Sequence, residues 1–136
     1  MANRQSPCPS NNGNHMENSC NPLNVAENLS QYWFPKVIAE VDDNYVKVAK
    51  LKGSFVWHNH QEQDELFLIL KGTLVIEYQG KQVTLHAGDL HVVPRGAMHN
   101  PIAEEECLVM LIENKSTAHT GETETSASRS IDEQRY

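Results

Sequence analysis

His58, His60, Glu65 and His99 are the residues of this 136-residue chain whose types and spacing best support chemistry. They fall in one glycine-punctuated stretch, from Gly53 to Pro101. In an extended strand alternate side chains share a face, so His58 and His60 aim at one point. Gln61 to Asp64 reads as a polar turn, and Glu65 opens the apolar run that ends at Leu70. That run is the next strand, and its first residue can converge on the same point. His99 follows Pro94-Arg95-Gly96, a turn that re-aims the chain inward. Three imidazoles and one carboxylate suit a single divalent transition metal: Zn, Mn, Fe, Ni, Co or Cu. Taken singly, each histidine is an ordinary core or surface group; the joint pattern is what points to a metal.

The same residues carry a resemblance to the cupin family. Its two motifs run G-x5-H-x-H-x3/4-E-x6-G and G-x5-P-x-G-x2-H-x3-N. His58, His60, Glu65 and Gly72 fill the first, and Gly88, Pro94, Gly96 and His99 fill the second. Two positions depart from the pattern. Four residues rather than five separate Gly53 from His58, and Ala103 stands where the final Asn falls. Neither is a ligand position. The resemblance spans roughly Lys36 to Glu113 and implies an all-β double-stranded β-helix, the jelly-roll barrel, with His58, His60, Glu65 and His99 on the metal. It implies a class of chemistry and no substrate, since members with this ligand set include dioxygenases, sugar-phosphate isomerases and decarboxylases.

The elements that must hold these residues are legible as alternation and breaks. Val37, Ala39 and Val41 alternate with Lys36, Ile38 and Glu40, Asp42-Asp43-Asn44 turns the chain, and Val46, Val48 and Leu51 follow, interleaved with Lys47 and Lys50. Two hairpin arms fit. Phe55 to His60 is a third arm, in which Val56 faces inward with the two histidines while Phe55, Trp57 and Asn59 face away. With Glu65 inward, Phe67 and Ile69 point inward too, leaving Leu66, Leu68 and Leu70 outside. A strand apolar on both faces needs cover on both, from the N-terminal segment or a second subunit. Gly72, Gly80 and Gly88 then separate further short strands, and the last core strand runs from Glu106 to Ile112. His86 and His91 match no ligand position and read as edge or surface histidines.

Outside the barrel, assigned to residues 23–114, the ends are polar. Residues 1–22 are rich in Asn, Ser and Pro, too poor in apolar side chains to offset the entropy of ordering. Cys8, His15 and Cys20 have irregular spacing and no fourth ligand, so they make no metal site. A short helix is predicted from an Asn24 cap, with Val25 and Leu29 on one face. Tyr32-Trp33-Phe34 seals one end of the core. Residues 115–136 read as a polar C-terminal tail, within which Thr117 to Gly121 can fold back toward the barrel.

Composition narrows the partners. A formal charge of −7 excludes the basic stripe of a nucleic-acid surface, and no apolar run reaches the ~20 residues of a membrane span. The start lacks the apolar core of a secretory signal, and three cysteines form no disulfide framework, with Cys107 a buried hydrophobe. A cytoplasmic protein is expected. The leucine stripe predicts a homodimer, and the pocket wall is drawn from Val56, Phe67, Ile69, Met98 and Met110, suited to a small organic substrate. Within this reading Glu65 can also serve as a catalytic base. The favoured activity is a dioxygenase-like oxidation of an aromatic or enolic compound. The alternatives are a non-oxidative isomerase or decarboxylase, and a metal-dependent binding protein.

Overall fold

The computed structural model describes residues 19–121 and 128–135. Its strands are β1 (Lys36–Val41), β2 (Asn44–Ser54), β3 (Glu65–Lys71), β4 (Thr73–Tyr78), β5 (Lys81–His86), β6 (Leu90–Val93) and β7 (His99–Asn114). The turn residues of the sequence lie at their junctions, and the all-β expectation holds. Gly72 has φ of 88°, and a Cβ there would lie 2.8 Å from the Glu106 carbonyl oxygen, so only glycine fits between β3 and β4.

Every ladder is antiparallel, and β7 is the spine. Its first residues pair with β4, from Tyr78↔His99 to Val75↔Ile102. Its later residues lie between β2 and β3. The sheet runs β1-β2-β7-β3-β6, with β5 joined through β4. One long strand thus serves both the β4–β5 ribbon and the larger sheet, and side chains of both meet in one interior. Ala49, Leu51, Phe67, Ile69, Leu74, Ile76, Leu85, Val109 and Leu111 form that core.

Period two sets which face is which. In β3, Glu65, Phe67 and Ile69 are buried, and Leu66, Leu68 and Leu70 point outward, half-buried. A helix covers one end of that outer face. This helix, α1 (Pro22–Glu27), lays Val25 and Ala26 against Ile38, Val48 and Leu108, with Leu70 and Met110 alongside. It begins earlier than the Asn24 cap expected from the sequence. Asn21 caps it by accepting the Asn24 N–H at 3.1 Å, and Pro22 pre-sets the first turn.

The third arm expected over residues 55–60 is not a regular strand. His58 alone forms a ladder bridge there, to His99. Released from strict alternation, Phe55 stacks on Trp33, and Val56 is only half-buried. Lys47, a charged residue interleaved with the valines of β2, is only 1% exposed.

The expected fold-back of residues 117–121 is present: Thr120 is buried, and Gly121 lies against the Asn59 carbonyl. Beyond residues 122–127, Ser130 and Glu133 form a capping box at the start of α2 (Ile131–Gln134), a helix whose Ser-x-x-Glu signature stands in the sequence. Cys107 is a buried free thiol, as expected, and Cys20 packs against the α1 cluster. Residues 1–18 of the expected N-terminal tail, with Cys8 and His15, lie outside the described residues. No helix among the described residues is long and apolar enough to cross a membrane.

Candidate metal centre

The two motifs meet through backbone contacts before any side chain is considered. His58 and His99 exchange both N–H···O bonds, at 3.0 and 2.9 Å, and the Gly96 N–H donates to the His60 carbonyl at 2.8 Å. Asp64 closes the turn ahead of Glu65 by accepting the Arg95 N–H at 2.9 Å, and its carboxylate pairs with the Arg95 guanidinium at 3.5 Å. Arg95 is therefore a turn clasp. These bonds fix the starts of β3 and β7 side by side, which is where Glu65 and His99 stand.

His58, His60, Glu65 and His99 are all buried, and one ligand atom from each lies within 4.8 Å of the others. The ring Nδ1 of His58 meets the Val56 carbonyl at 2.9 Å, and that of His99 meets the Ala97 carbonyl at 2.9 Å. A carbonyl only accepts, so Nδ1 carries the proton in both rings and Nε2 keeps its lone pair, the tautomer a metal needs. His60 Nε2 and His99 Nε2 lie 3.4 and 3.6 Å from Glu65 Oε1. None of those three atoms has a hydrogen-bond partner. Buried polar atoms are almost always satisfied, so convergent orphans of this composition fit a divalent metal.

Electrostatics agree with that donor set. Burial pushes the His58 imidazole down to about 4, keeping it neutral. Burial alone would lower His60 as well, but the Glu65 carboxylate outweighs it and raises His60 above its ordinary value. Burial alone would raise Glu65, yet His60 and His99 hold its carboxyl well below the ordinary carboxylate range. Each of the two groups therefore favours the charged form of the other.

Behind the site stands a second buried carboxylate that the motifs do not contain. Glu113 pairs with Glu65 across β3 and β7 in register, and its Oε1 lies 2.7 Å from Lys47 Nζ. Lys47 also donates to Gln134 Oε1. Burial and the neighbouring Glu65 push Glu113 up to about 8, and Lys47 only partly opposes them. Period two holds the signal for both residues: Lys47 is in phase with Ala49 and Leu51, and Glu113 with Val109 and Leu111, all core residues.

A cavity of about 30 Å³ adjoins the cluster, lined by Trp33, Phe55, His58, Glu65, Phe67 and His119 among others. Of the wall expected from sequence, Phe67 lines it, Ile69 lies in the core, and Val56 lends its carbonyl to His58. Met98 is exposed, and Met110 packs in the α1 cluster on the opposite face. Trp33 reaches the cavity rather than merely sealing the core. His91 hydrogen-bonds Tyr78 at 2.7 Å, and His86 lies on exposed β5.

Comparison with known proteins agrees with this architecture. A relative from Bacillus subtilis (strain 168), the uncharacterized protein YdbB, is 31% identical over 96 residues, covering 70% of this chain and 85% of its own. The crystal structure of a cupin-2 domain containing protein from Shewanella frigidimarina NCIMB 400 shares 45% identity with a TM-score of 0.63, covering 63% of this chain and 84% of that one. Protein NMB1881 from Neisseria meningitidis shares 26% identity with a TM-score of 0.65, over 71% and 98% of the two chains. The cupin domain family model matches residues 44–113, and the chain belongs to that family.

Proposed function

We propose that the chain is a metal-dependent oxidoreductase of the dioxygenase type, acting on a small aromatic or enolic compound at a divalent metal held by His58, His60, Glu65 and His99. The supporting observation is the buried cluster of ligand residues, with unpartnered atoms on His60, Glu65 and His99, two members of which, His58 and Glu65, line an aromatic-walled cavity. A metal bound there supplies a Lewis acid for a substrate oxygen and, for redox-active ions, a path for electrons to dioxygen. The chain's own residues do the rest. His58 and His99 keep Nε2 toward the centre because Val56 and Ala97 hold their Nδ1 protons. Glu65 is a buried carboxylate, and we assign it a second role as proton acceptor. Trp33, Phe55 and Phe67 give the cavity an aromatic wall suited to a planar compound. The residues lining the cavity include no Lys or Arg for a phosphate, which favours aromatic or enolic compounds over sugar phosphates.

Elemental analysis of protein purified without chelating resin, followed by oxygen uptake with catechols and enols, tests this. The reading expects about one metal per chain and oxygen consumption. Turnover of a sugar phosphate or an acid without oxygen uptake would favour an isomerase or decarboxylase. Ligand binding with no turnover would favour a binding protein.

We further propose a homodimer. Leu66 and Leu68 pair with Val92 and Leu90 of β6, the strand at the sheet's edge, and Leu90 and Val92 are exposed. Helix α1 packs Leu70 but leaves that end bare among the described residues. A two-fold contact would bury the patch in both copies.

A further inference from the structure

We propose that His119 contacts the bound compound, donating its Nε2–H to an oxygen of a planar molecule seated beside the metal ligands. The inference rests on the metal reading above and adds a residue that lies outside both motifs.

His119 lines the same cavity as His58 and Glu65, and its ring centroid is 5.2 Å from that of Phe55. Its Nδ1 accepts the Arg129 N–H at 3.0 Å, so a neutral ring carries its proton on Nε2. No hydrogen bond from another described residue occupies Nε2. A half-buried imidazole that lines a cavity shared with two ligand residues is placed to meet an acceptor oxygen there.

The placement is built from both sides. Gln134 Nε2 donates to the Arg129 carbonyl at 2.9 Å, and Gln134 Oε1 accepts from Lys47. Lys47 in turn pairs with Glu113 beside Glu65. A chain of polar contacts, buried at Lys47 and part-buried at Arg129, therefore links the neighbour of a metal ligand to the residue that orients His119. On the other side, Gly121 has φ of 60°, and a Cβ there would fall 1.8 Å from the Asn59 carbonyl oxygen. Asn59 lies between His58 and His60, so the segment carrying His119 is seated on the ligand-bearing backbone itself.

Trp33 points to the same cavity from a third direction. It holds φ of 58°, uncommon for a bulky residue, tied by its N–H to the Lys50 carbonyl and by Nε1 to the Lys52 carbonyl. In that pose it stacks on Phe55 at 4.7 Å, giving a flat aromatic wall. Strain of this kind collects where a side chain is needed in one place. A cavity of about 30 Å³ holds one or two waters, so seating a ring compound requires its walls, His119 among them, to widen.

The test uses the full chain loaded with cobalt(II), with 4-nitrocatechol as a chromophoric probe and cobalt content measured for every variant. His119→Phe keeps a ring but no donor, and should weaken the probe about tenfold at unchanged cobalt content, the weight of one hydrogen bond. His119→Gln places an amide N–H near the Nε2 position and should bind within about threefold of wild type. Gly121→Ala, which unseats the segment, should match His119→Phe, and the double variant should lose no more than either alone. Unchanged binding in His119→Phe overturns the inference, and so does an equal loss in His119→Gln, which would mark packing rather than the N–H. Cobalt-loaded wild type that ignores the probe overturns the ligand class. A wild type that takes up no cobalt overturns the metal reading, and this inference with it.

Discussion

Glu65 is the residue on which the chemistry turns, because it is the one carboxylate among the four ligands and has a second oxygen for a proton while the first binds metal. Glu65→Gln keeps size and an oxygen donor but cannot take a proton at neutral pH. With metal restored in excess, turnover should fall about 10²–10⁴-fold, read as oxygen uptake against metal content. A loss that tracks metal content alone would remove the base role. The His60 proton makes a second prediction. Its folded value is raised above the ordinary 6.5, so metal must displace a proton that is held throughout the range below that value. Metal affinity measured by competition with a chelator should therefore decline already near neutrality, about tenfold per pH unit, as pH falls through the raised His60 value. His58, pushed down to about 4, adds a further loss only in acid. An affinity flat from neutrality to pH ~5 would contradict the pairing of His60 with Glu65. The four clustered residues are legible from their spacing because two short motifs bring both intervals and their glycines together. Lys47 and Glu113 are harder to read, since a charged residue in a strand is ordinarily solvent-facing. Only their shared phase with core residues betrays them. His119 follows the last strand, where no period operates, so its place in the cavity depends on tertiary contact alone.

At the scale of elements, strand breaks and facing follow from Gly and Asp turns and from period two, which is why β1 to β6 match the sequence reading closely, whereas β7 begins at His99, well ahead of the Glu106 start expected for the last strand. The differences lie where local signals compete. Pro22 after Asn21 is a stronger helix start than Asn24, and the ligand segment from Phe55 to His60 leaves the regular ladder, re-aiming Phe55 at the cavity. Leu108, buried under α1 on the face opposite the metal ligands, tests how separable the two faces are. Leu108→Ala should destabilise the fold by about 2–5 kcal/mol in denaturant melts while leaving the number of metals per chain unchanged below the transition. Loss of metal at temperatures where the barrel is still folded would show that the α1 face and the site are coupled.

For the whole molecule, the bare end of the β3–β6 face predicts a dimer, which sedimentation at micromolar concentration checks. Leu68→Glu with Leu90→Glu should convert it to a monomer, whereas a wild-type monomer at that concentration would refute it. The central claim is that residues from the two halves of the barrel converge to hold one metal. It is tested most directly by elemental analysis of wild type beside the His58→Ala/His60→Ala double variant, with circular dichroism on both. Two of four ligands are removed while the Glu65 and His99 backbone contacts to β6 and β4 stay in place. The account predicts about one metal per chain in the wild type and almost none in a double variant that keeps its β-rich spectrum. Stoichiometric metal in the folded double variant would contradict it.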